Sequence, residues 1–189
     1  MNYRKKYLST CLLATLAVVL PFLMASQAAA DSVHLKGGAN AEPSFTDLGL
    51  QLAAAGALSG LGNGDVVIGL SAQANVTSTC TNQGGNQAPG QNPASLTVTG
   101  SEAIPADEIK NGTVGFALTT NAPQTPIPDA PGCPNPNWRQ DITGLAFTSA
   151  TITVQQPPVS DVLLTVVCTF ASPTNDGAVP KGDVSCTQQ

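Results

Sequence analysis

The chain has 189 residues, with 7 Lys+Arg, 12 Asp+Glu and a single His. Arg4, Lys5 and Lys6 stand at the N-terminus and every acidic residue lies beyond position 30, so residues 31–189 carry four basic against twelve acidic groups, a net charge of −8. That balance excludes nucleic acid and anionic membrane surfaces as partners, because both need clustered Lys and Arg.

Residues 1–30 read as a secretory signal peptide. The three basic residues form its n-region, Leu8 to Met24 its apolar run, and Ala28-Ala29-Ala30 its small-residue site, with cleavage before Asp31. Pro21 interrupts the run, which argues against a retained anchor. Most of the apolar run follows Cys11 rather than preceding it, so Cys11 is no lipid-attachment cysteine. The expected location is secreted, extracellular or in the cell envelope, with no membrane association after cleavage. Residues 31–44 read as a flexible lead-in, with His34 a solvated tail residue rather than a general base. Residues 45–189 read as one domain.

Period-two alternation dominates that domain. A first strand is expected over about Phe45 to Ala54, from Leu48, Leu50 and Leu52. The longest strand follows: Val66, Ile68, Leu70, Ala72, Ala74, Val76 and Cys80 share the inward parity, and Val67 to Thr79 alternate outward. Leu96 and Val98 mark a third strand, and Val114, Phe116 and Leu118 a fourth. From Ile142 to Val154, Leu145 and Phe147 hold one parity while Ala150, Ile152 and Val154 hold the other. A parity switch inside one run predicts a β-bulge or a change of sheet. Val162 to Phe170 and Val184 to Cys186 complete about seven strands. The pattern predicts an all-β, immunoglobulin-like antiparallel sandwich, with a jelly roll or small barrel as the alternative. The Cys-Trp-Cys arrangement of immunoglobulin domains is absent, since Trp138 follows Cys133 in a loop.

If strand directions alternate, the loops Thr81–Pro93, about Asn121–Asn137 and about Ala171–Gly182 gather at one end. The first two carry Cys80 and Cys133 at or near their bases, and six prolines stiffen the second. Four cysteines outside the leader, Cys80, Cys133, Cys168 and Cys186, imply disulfides in an exported chain. Of three possible connectivities, Cys80–Cys133 with Cys168–Cys186 is preferred, because the first ties two loops and the second pins a hairpin. A zinc site lacks both a C-x-x-C pair and histidines.

From Gly85, G-N-Q-A-P-G-Q-N follows the frame of a phosphate-binding loop, but Gln91 and Asn92 replace the Lys and the hydroxyl residue, and Pro93 blocks the helix. A polar turning loop is the better reading. Ser–His–Asp or Cys–His catalysis has no suitable histidine. Asp65, Glu102, Asp107, Glu108 and Asp161 gather at the opposite end as a solvated acidic rim. Calcium binding or carboxylate hydrolysis there are the competing readings, and no EF-hand frame or aromatic substrate platform supports either. No metal and no cofactor are expected. Asn82, Gln83, Asn86, Gln87, Asn135, Asn137 and Trp138 are the candidate contacts at the long-loop end. Trp138 reads either as a binding anchor or as a lid on the core.

The segments CTNQGGNQAPGQNPA (Cys80 to Ala94), GCPNPNW (Gly132 to Trp138) and AFTSATITV (Ala146 to Val154) resemble a group of uncharacterised bacterial exported proteins. Those proteins share C-T-N-x-G-G-N-x-A-P-G-x-N and C-P-N-P-x-W blocks. The resemblance covers roughly Leu61 to Val154, implies a bacterial origin and carries no activity. The expectation is a secreted, disulfide-stabilised β-sandwich acting as a non-catalytic binding or structural module, with an unknown protein or cell-envelope component as partner. An envelope or matrix subunit assembling through an edge strand is the alternative, and a carboxylate-dependent hydrolase a more remote one. Oligomeric state is left open.

Overall fold

A computed structural model describes residues 32–158 and 161–189. The expected signal peptide and its cleavage site lie outside the described residues. In chain order the strands are β1 (His34–Leu35), β2 (Ser44–Asp47), β3 (Leu52–Ser59), β4 (Val66–Thr81), β5 (Gln87–Pro89), β6 (Leu96–Ile104), β7 (Thr113–Thr119), β8 (Arg139–Gln155), β9 (Val162–Phe170), β10 (Gly177–Ala178) and β11 (Val184–Gln188). Two single-turn 3-10 segments, Ala106–Glu108 and Lys181–Asp183, precede β7 and β11.

The strands form two antiparallel sheets whose inner faces share one apolar core. In the first, β3 is central; β7 runs along one edge, β1 and β2 share the other, and β10 extends β2. In the second the order is β11-β9-β8-β4, and β6 and β5 divide the far edge of β4 between them. This is the all-β, two-sheet architecture read from the alternation. Neither disulfide joins the two sheets in the immunoglobulin manner. Cys168–Cys186 links neighbouring strands of one sheet, and Cys80–Cys133 links a strand to a loop.

The long alternating strand folds as its side chains dictate. Val66, Ile68, Leu70, Ala72, Ala74, Val76 and Cys80 are all buried, while Gln73, Asn75 and Thr77 are exposed. Its partner β8 has one residue too many for a straight ladder at each of two points. Register shifts fall between Gln73 and Ala74 and between Thr77 and Ser78, leaving Thr148 and Thr143 as the extra residues. Each turns its hydroxyl back to a β4 carbonyl at the shift, Thr148 to Gln73 and Thr143 to Thr77, both at 3.3 Å. The bulge at Thr148 is the cause of the parity switch, because it lets Phe147 and Ala150 face the same core.

Two expectations are corrected. The first strand, expected over about Phe45 to Ala54, is a hairpin. Gly49 takes φ +84°, and its N–H donates to Asp47 Oδ1, so the chain reverses over Leu48 to Gln51. Leu48 is left outside, 54% exposed. Short Leu-x-Leu alternation reads the same in a strand and in a turn flanked by strands. The supposed flexible lead-in also belongs to the fold. Val33 and Leu35 are buried, and β1 pairs with the end of β3. The Gln188 carboxamide holds this segment, accepting from Leu35 N–H at 2.8 Å and donating to the carbonyls of Gly38 and Ala39. His34 is half-buried, its Nδ1 2.8 Å from the Ser32 carbonyl.

The sheets meet along one side where β6 crosses β7. Asn121 N–H donates to Thr99 O, and a Cβ on Gly100 would lie 2.2 Å from Thr119 O. Only glycine permits that approach. Gly100→Ala is expected to lose about 1–3 kcal/mol in urea unfolding, as overpacking against backbone does. Gly115→Ala, whose Cβ would meet only Gly56 O at 3.8 Å, is expected to stay within about 1 kcal/mol of the parent.

Candidate functional site

β9 pairs with β8 only over Ser149–Gln155, while β4 and β8 continue together to Thr81 and Arg139. The first half of β8 therefore has one edge without a strand. Loops supply its partners in turn. Phe147 N–H donates to Thr174 Oγ1, Thr174 N–H donates to Phe147 O, and Leu145 N–H donates to Gly49 O. Farther out, Ile142 N–H donates to Thr125 Oγ1 and Ile127 N–H donates to Gln140 O. The Pro-rich loop is thus held against β8 by backbone bonds, as a buried edge requires.

The loop after β4 is fastened to the same place. Cys80 and Cys133 are bonded with their Cα atoms 5.7 Å apart, as expected from the sequence. Gln91 N–H donates to Gly132 O at 2.9 Å. Between the loops lies Gln140, 1% exposed, an inward-facing polar residue that sequence reasoning passed over. Its Oε1 accepts from Gly132 N–H at 2.8 Å, and its Nε2 donates to Ser78 Oγ at 3.0 Å and Gln91 O at 3.2 Å. The available signal was parity: Gln140 precedes Ile142 by two and shares its face. Gly132 and Gly90 are required here by contact. A Cβ on Gly132 would lie 2.5 Å from Gln140 Nε2 and Gln91 O, and one on Gly90 2.6 Å from Ser78 Oγ.

The apparent phosphate-loop frame resolves into these parts. Gly85 serves the hairpin tip with φ +81°, and Gly90 serves the packed base. Asn82 is a turn-former: its Oδ1 accepts from both Gly84 and Asn86 N–H. Asn135 acts likewise toward Asn137 N–H. Asn82 and Asn135 thus have their side-chain oxygens spent internally. Gln83, Asn86, Gln87 and Asn137 are exposed, and Trp138 is half-buried with its N–H backbone group bonded to Asn135 O.

Beside the fastened loops opens an apolar groove of about 290 Å³. Val76, Leu96, Ile127 and Ile142 form its apolar floor, and Pro93, Pro123, Pro128 and Pro131 stand around it. Gln124 is the single lining residue with a hydrogen-bonding side chain. Sequence reasoning chose the polar tips of these loops and missed the prolines as a wall, because it read them as stiffeners only.

The acidic residues do not assemble. Asp65 Oδ1 accepts from Ala106 N–H and caps the turn that holds Asp107 and Glu108. Glu102 lies on the inward parity of β6, with its Oε2 buried, while Asp161 is exposed near β9. Among the described residues no group of three or more His, Cys, Asp or Glu is placed to hold a metal ion, and no helix is long and apolar enough to cross a membrane. No family model, no curated protein and no solved structure matches the chain.

Gln140→Leu keeps the volume but strands the Gly132 N–H, while Ser78 Oγ and Gln91 O keep their bond to each other, so it is expected to cost about 1–3 kcal/mol in chemical unfolding. Replacing Cys80 and Cys133 together by Ala is expected to cost about 4 kcal/mol through the longer free loop. Peptide mapping without reductant should recover Cys80 with Cys133 and Cys168 with Cys186.

Proposed function

We propose that this chain is an exported, non-catalytic binding module that recognises a protein or cell-envelope component through its long-loop end. The observation that carries this reading is the groove beside the Pro-rich loop. It is apolar, open and walled by residues that a disulfide, a buried glutamine and backbone bonds hold in place. A site fixed before the partner arrives avoids the entropy of ordering loops on binding. Concave, mostly apolar pockets are where ligand groups are taken up. The groove favours an uncharged aliphatic or aromatic group, since it offers almost no hydrogen-bonding side chain and the chain is acidic. The exposed Gln83, Asn86, Gln87 and Asn137 lie on the same two loops, outside the groove lining.

Two disulfides fit an oxidising compartment outside the cytoplasm, in keeping with the expected leader. Asp65 is committed to the Ala106 N–H, and among the described residues no group of three or more His, Cys, Asp or Glu is placed to hold a metal ion, so the acidic residues add nothing to the rival readings. The bacterial origin implied by the sequence blocks sets the choice of extract for the test.

Residues 31–189, immobilised and exposed to bacterial envelope extract, are expected to retain a partner. Ile127→Ser is expected to lower retention about tenfold, the loss typical of a contact residue at the centre of an interface. Alanine at Gln83, Asn86 and Gln87 together should lower it less. Undiminished retention by folded Ile127→Ser would remove the groove from the reading, and no retention by the parent would remove the reading itself.

A further inference from the structure

The second sheet ends in β11, and the pairing fixes which of its backbone groups face outward. Thr165 and Gln189 exchange both hydrogen bonds at 2.9 Å, so they are a close hydrogen-bonded pair. Counting by twos, Thr187 and Ser185 also bond toward β9, and Ala171 N–H donating to Asp183 O continues the series. Cys186 and Gln188 therefore sit in non-hydrogen-bonded positions, and the Cys168–Cys186 bond spans one of them with Cα atoms 4.1 Å apart. The N–H and C=O groups of Cys186 and Gln188 point away from the sheet. No strand pairs with that edge among the described residues.

The other edges are blunted in ways native sheets use. β6 and β7 face each other across the Gly100–Thr119 contact. β1 and β10 are two residues long, and β5 has three residues with Pro89 among them. β11 has no such protection. Its sequence, Val-Ser-Cys-Thr-Gln, holds no charge and no proline. It is also stiff, because Cys186 is bonded to Cys168 and the Gln188 side chain is tied to Leu35, Gly38 and Ala39.

We infer that β11 is a self-association edge and that its partner is β11 of a second copy of this chain. An antiparallel two-fold pairing centred on Cys186 sets Ser185 opposite Thr187 of the other copy, with both side chains on the exposed face. It joins the outward groups of Cys186 and Gln188 in about four backbone hydrogen bonds, since Val184 N–H is already bonded to Lys181 O. The edge suits this chain in particular. At a net charge of −8, two copies repel over most of their surface, and an uncharged strand brings no like charges into register. The contact shares no residue with the groove and goes beyond the binding role proposed above.

The test is sedimentation velocity of residues 31–189 from about 10 µM to about 1 mM, a range suited to a small interface. The expected result is a reversible dimer that strengthens as salt screens the net charge. Ser185→Glu with Thr187→Glu places like charges opposite each other and should leave a monomer. Ser185→Lys with Thr187→Glu places opposite charges in the same register and should restore the dimer. Both pairs lie on exposed positions, and a circular dichroism spectrum like the parent's confirms the fold. A monomer at every parent concentration would overturn the inference. So would a dimer indifferent to the double Glu change, a charge-swapped variant that stays monomeric, or growth past the dimer. Unchanged envelope retention by the double Glu variant keeps this result separate from the groove.

Discussion

Backbone groups on a buried edge must be bonded, and the central ladder makes that requirement acute. β4 and β8 stay paired beyond the end of β9. The first half of β8 would otherwise present its N–H and C=O groups to a partly closed interior. Thr174, Gly49, Thr125 and Ile127 meet that need in succession. They come from three different connections, so the requirement draws the β2–β3 turn, the β9–β11 loop and the Pro-rich loop onto one strand. The organisation of the long-loop end follows from this one mismatch in strand length.

Bulges make the arrangement workable. A straight seventeen-residue strand could not keep Ile142, Leu145, Phe147 and Ala150 all inward. The extra residues Thr143 and Thr148 reset the phase twice. Their threonine hydroxyls bond the β4 carbonyls at those points, so the interruption leaves few polar groups without partners. Beyond the second reset, Gln140 faces inward and becomes the polar centre that joins the two loops.

Much of this was legible in the residues. Alternation in β4 located its buried face at the seven positions it named, and the parity conflict between Phe147 and Ala150, which allowed a bulge or a change of sheet, falls at a bulge. The disulfides followed from the positions of the cysteines in strands and loops. What stayed illegible depends on contacts distant in sequence. For Gln140 the local pattern offers parity with Ile142 alone, and nothing local says that Gln188 reaches the segment at Leu35 or that four prolines surround an apolar opening. Leu48-Gly49-Leu50 misled because turn and strand share the same short pattern, and Asp47 decides between them through a side-chain bond. Asn82 and Asn135 looked like contact residues and are turn residues, since a polar side chain in a loop serves the loop's own backbone first.

The β4–β8 ladder also governs how the chain reaches this state. It pairs Thr81 with Arg139 and Val67 with Gln155, so its strands must find each other across most of the domain. Contacts of such long range close slowly, because the loop entropy is lost before the pairing compensates for it. The β4–β6 and β8–β9 hairpins are local and have no such delay. Oxidation of Cys80 with Cys133, 53 positions apart, leaves only a few residues of slack between Thr81 and Arg139. Wherever that bond forms ahead of the ladder, the search over the whole domain becomes the closing of a short ribbon.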